Sequence, residues 1–141
     1  MFSSIYAPVI ALVLWSFVMW AWLYATRIPA MVKSGIAYDP RGPASQMEAI
    51  IPAEVRWKAD NYNNLFEQPT LFYAVALTVA LLDAGAGFNA GLAWAYVVLR
   101  IAHSLVQALI NKVMIRFPVY ALASLVLLIM TIRAAWTILS A

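Results

Sequence analysis

Arg56-Trp57-Lys58-Ala59-Asp60-Asn61-Tyr62-Asn63-Asn64-Leu65-Phe66-Glu67-Gln68-Pro69 runs directly into the apolar stretch Leu71 to Leu82. Charges and amides are therefore stacked into the first half of a helix whose second half is greasy. A polar group in hydrocarbon costs several kcal/mol unless it is paired. A membrane segment that keeps such a run either builds a site or holds a bundle together.

The rest of the chain agrees with a membrane setting. It has 141 residues, 65% of them hydrophobic and 11% charged, with a net charge of +3. Its mean hydropathy is +0.84, far above that of a soluble domain. There is no cysteine, which excludes a disulfide framework, a protein thiol nucleophile and a cysteine metal site. A single histidine, His103, makes no metal cluster. The basic residues are scattered, which argues against nucleic acid and fits loops lying on an anionic inner leaflet. The first charge is Arg27, so the basic start of a cleavable signal is not present, and the first apolar run reads as a span.

Four spans are expected, over about 5–28, 52–82, 90–112 and 118–139, as one all-α domain running up-down-up-down through the membrane. The second is the longest, about 45 Å if helical throughout, so its charged start should stand out of the hydrocarbon. Pro52 suits a helix start and Pro69 predicts a kink beside Glu67. Arg27, Lys33, Arg41, Arg56 and Lys58 flank the first connection and Lys112 and Arg116 the third, while Asp83 to Gly91 has no basic residue. The positive-inside rule then puts both termini outside the cytoplasm.

Two polar stripes are legible at about 100° per residue. Arg56, Asp60, Asn63 and Glu67 share one narrow face of the second span, flanked by Asn64 and Thr70. Tyr96, Arg100, His103, Ser104, Gln107 and Asn111 share a face of the third. Counted back from the turn near Gly85, Glu67 is expected level with His103 and Ser104. Arg100 pairs either with Glu67 or with a carboxylate of another subunit. Buried Arg and Glu can serve assembly alone. A full stripe on each of two helices at matching depth favours a site.

Asn64-Leu65-Phe66-Glu67-Gln68-Pro69 resembles the Asn-x-x-Glu-x-x-Pro core of the MAPEG family, the membrane-associated proteins in eicosanoid and glutathione metabolism, with the proline one residue early. Arg100-Ile101-Ala102-His103 is similar to the family's third-helix motif, and Arg116-Phe117-Pro118-Val119-Tyr120 to its lead into the fourth helix. The resemblance implies a homotrimer of four-helix bundles in a bacterial inner membrane, in contact with lipids. It also implies glutathione held by Arg56, Lys58, Asn63, Asn64, Glu67, Arg100, His103 and Gln107, with Arg116 lowering the pKa of the thiol for catalysis. Two positions depart from the family pattern: Asp60 stands where Arg is usual, and Gln107 where glutathione-using members often place Tyr. The activity implied is a glutathione transferase or peroxidase acting on lipophilic electrophiles. The competing expectation is a non-catalytic lipid-binding or accessory subunit of a larger membrane complex. A small transporter is a third, against which an uninterrupted set of spans counts.

Overall fold

The computed structural model describes residues 4–37 and 39–140. Within them the chain forms six helices and no strand: α1 (Tyr6–Ser34), α2 (Ala44–Ile50), α3 (Ala53–Asn64), α4 (Gln68–Leu81), α5 (Phe88–Leu109) and α6 (Val113–Leu139). Three of these, α1, α5 and α6, are long and apolar enough to cross a membrane. Large apolar side chains such as Leu14, Phe17, Leu125, Leu128 and Trp136 point outward. In a bilayer that outer surface meets lipid without cost.

Small residues sit where helices meet. Ala93 and Ala108 on α5 and Ala123 and Ala134 on α6 are buried, and these two helices pack along their length. Alanine permits close backbone approach, which supplies dispersion contacts where lipid offers no hydrophobic drive. Leu12, Met19, Phe72, Leu127 and Met130 fill the space between. Phe72 stacks on Tyr96 with ring centroids 4.6 Å apart, joining α4 to α5.

The ends of the helices follow from local chemistry. Gly35 takes a left-handed φ of 62° and its N–H closes on Val32 O, ending α1. At the end of α4, Ala84 N–H bonds Val79 O and Asp83 N–H bonds Ala80 O, a Schellman pair with Asp83 at φ 54°. Asn111, at φ 50°, ends α5 in the same left-handed region, which asparagine tolerates.

The expected continuous second span is broken. α3 stops at Asn64 and α4 starts at Gln68. Pro69, in the first turn of α4, has no N–H for the carbonyl of Leu65, so the ladder cannot continue. Residues 66 and 67 instead bond three residues back, Phe66 N–H to Asn63 O and Glu67 N–H to Asn64 O. The sequence signalled a kink, and the structure makes it an interruption. The expectation of uninterrupted spans is corrected on this point.

Candidate functional site

The α5 stripe meets α3–α4 through Asn61, Asn64 and Gln68. The expected stripe of Arg56, Asp60, Asn63 and Glu67 does not face it, since Asp60, Asn63 and Glu67 are exposed and Arg56 lines another cavity. Tyr96 Oη donates to Gln68 Oε1 at 3.3 Å, Arg100 Nη2 donates to Asn64 Oδ1 at 2.7 Å and to Asn64 O at 3.1 Å, and Ser104 Oγ donates to Asn61 Oδ1 at 2.8 Å. These pairs are symmetric about Leu82, the end of α4, rather than about Gly85. Asp83 turns the chain immediately, so the remaining residues of the connection belong to the α5 side. Ser104 is therefore level with Asn61, not with Glu67.

Arg100 and Glu67 do not pair directly. Asn64 stands between them: its Oδ1 accepts from Arg100, and its Nδ2 donates to Glu67 Oε2 at 2.8 Å. Arg100 is fully buried, whereas Glu67 is exposed on the outer side of the break. The guanidinium thus caps the C-terminal carbonyl of α3, where the helix dipole is negative. Glu67 sits at the N-terminal end of α4, where the dipole is positive. Each charge lies at the helix end that favours it. Arg100 also lies over the Tyr120 ring, 5.3 Å from its centroid, while its Nε and Nη1 lack partners.

Beside this relay lies a cavity of about 230 Å³ lined by Asn64, His103, Gln107, Val113, Arg116, Phe117 and Tyr120. The His103 and Tyr120 rings are 5.5 Å apart. His103 Nδ1 and Gln107 Oε1 are buried without partners. Arg116 Nη1 donates to Asn111 Oδ1 at 2.7 Å, so the αL residue that ends α5 also aims the guanidinium. The cavity is therefore bordered by one oriented cation, an imidazole and an amide. A small group carrying negative charge and a hydrogen-bond donor would satisfy all three.

The expected site residues do not all converge. Asn64, His103, Gln107 and Arg116 line this cavity; Arg100 and Glu67 reach it only through Asn64. Lys58 is turned away: its Nζ donates to Glu54 O at 2.7 Å and rests over the Trp22 ring of α1 at 5.4 Å. Arg56 and Asn63 line a second, larger cavity on the other side of α3. Three residues were missed in the sequence. Asn61 lies three residues before Asn64, a helical spacing that could have placed it toward α5. Tyr120 was noted only as part of a motif, and Asn111 only as part of the stripe.

Three membrane-length apolar helices define an integral membrane protein, and a half-open polar cavity lies against α5 and α6. The MAPEG family model matches residues 5–136, nearly the whole chain, and the chain belongs to the MAPEG family. Curated proteins and solved structures give no match.

Proposed function

We propose that this chain is a glutathione-dependent MAPEG enzyme of transferase or peroxidase type, acting on lipophilic electrophiles delivered by the bilayer. The observation that carries the reading is the cavity in which Arg116, His103 and Gln107 converge with two polar atoms unpartnered. Glutathione, when bound, supplies a nucleophilic sulfur. Arg116 would stabilise negative charge on that sulfur, and Asn111 holds the guanidinium in place for it. Gln107 Oε1 accepts an N–H of the tripeptide, and His103, one turn earlier on the same face of α5, orients it. Glu67, exposed and joined to the cavity through Asn64, suits its ammonium. Val113 and Phe117 give the cavity an apolar rim on α6 from which a lipophilic partner can enter.

In the same reading α3 and α4 together make the fourth membrane pass, both termini lie outside the cytoplasm, and the membrane is a bacterial inner membrane. The active form is a homotrimer. Support comes from Asp60 and Asn63 on α3, Glu67 in the break and Thr70 on α4, polar side chains that are all exposed. Such a face is costly against lipid and is covered when copies pack together.

The test is turnover of a lipophilic electrophile with glutathione in nanodiscs. Arg116→Ala should lower kcat/KM by about 100-fold, as for loss of one donor to a developing anion. Wild-type protein without thiol-dependent turnover removes the reading. One observation favours a second: Lys58 is engaged with α1 and Arg56 faces another cavity, which leaves both glutathione carboxylates without a dedicated cation. That arrangement suits a non-catalytic lipid-binding or accessory subunit of a larger membrane complex. It would show as stable co-purification with another membrane protein and no turnover.

A further inference from the structure

The second cavity, about 570 Å³, lies between the end of α1, the connection through α2, and α3. Five charged residues line it: Arg27, Asp39, Glu48, Arg56 and Asp60. Among the described residues no carboxylate makes an ion pair with either guanidinium, and Arg56 Nε is buried without a partner. Opposite charges lining one space without pairing to each other suit a group that carries both signs. A plain anion would face three carboxylates, and a plain cation two guanidiniums.

We propose that this cavity binds the phosphoethanolamine headgroup of a membrane lipid. Guanidinium forks match phosphate oxygens, and Arg27 and Arg56 both line the cavity. A primary ammonium has three N–H donors, one for each of three carboxylates. Met31, Ile50 and Ile51 supply an apolar wall for the glycerol and the start of the acyl chains. The position, at the polar end of the membrane-length helix α1, is where headgroups lie. The same geometry reassigns Arg56 from the glutathione site to a lipid site.

Native mass spectrometry of the full chain released from nanodiscs of equal phosphatidylethanolamine and phosphatidylcholine tests this. Choline has no N–H donor, so the carboxylates distinguish the two lipids. The wild type should retain the ethanolamine lipid by about tenfold over the choline lipid, the worth of one charge-assisted hydrogen bond. Arg56→Gln should lower retention of both lipids, since both carry the phosphate. Glu48→Gln should bring the two towards parity; its side chain is exposed on the short helix α2, so folding is not at stake. Soluble phosphoethanolamine should displace the lipid, and inorganic phosphate should not. Equal retention by the wild type, a preference that survives Glu48→Gln unchanged, retention of both lipids unchanged in Arg56→Gln, or displacement by phosphate or glutathione instead would overturn the assignment.

Discussion

Asn64 is the residue on which the site turns. It spans a buried guanidinium and an exposed carboxylate and also borders the cavity. Asn64→Leu leaves Arg100 with only a backbone acceptor, and should cost about 3 kcal/mol of stability in a detergent unfolding titration, because a buried charge loses a partner. Glu67→Gln keeps an acceptor oxygen for Asn64 at an exposed position and should cost less than about 1 kcal/mol in the same titration. Equal losses would mean that Glu67, and not Asn64, neutralises Arg100. At this scale the sequence was a good guide to which residues are polar and face inward, since helical spacing alone put Arg100, His103, Ser104 and Gln107 on one face. It was a poor guide to Lys58, whose long stem lets it lie along Trp22 regardless of the face its Cα occupies.

Among the elements, the break between α3 and α4 does the most to shape the site. It presents a helix C-terminus to Arg100 and a helix N-terminus to Glu67 within four residues. Pro69→Ala restores an N–H that can bond Leu65 O, and the helix should then close across the gap. Amide exchange at residues 65–68 should slow, and the Arg100 contact with Asn64 O should weaken as that carbonyl is taken up by helical bonding. Unchanged exchange would show that Arg100, rather than the missing donor, holds the break open. Hydropathy made α1, α5 and α6 readable, because each is a long apolar run with marked ends. The break was only half readable. A proline predicts a kink, but what caps the freed end is a cation arriving from α5, a contact remote in sequence. The register of α5 was missed for a similar reason: Asp83 adopts a left-handed conformation, and no glycine marks that turn.

For the whole molecule, family and membrane character were both legible in a chain whose charges cluster at helix ends and along two stripes. What the stripes do was less so, because α3 divides its polar residues between two cavities and an exposed face. The exposed part, Asp60, Asn63, Glu67 and Thr70, leads to a quaternary prediction. Sedimentation in a density-matched detergent should give three copies per particle, and a monomer would mean that this stripe faces something other than a second copy. The most direct test of the central claim, that Arg116 and its cavity hold a thiol as its anion, is the ultraviolet difference absorbance of thiolate when glutathione is titrated into the purified chain. The account predicts a saturable thiolate signal in the wild type that is lost in Arg116→Ala. Saturable glutathione binding with no thiolate signal, or a signal that persists in Arg116→Ala, would contradict it.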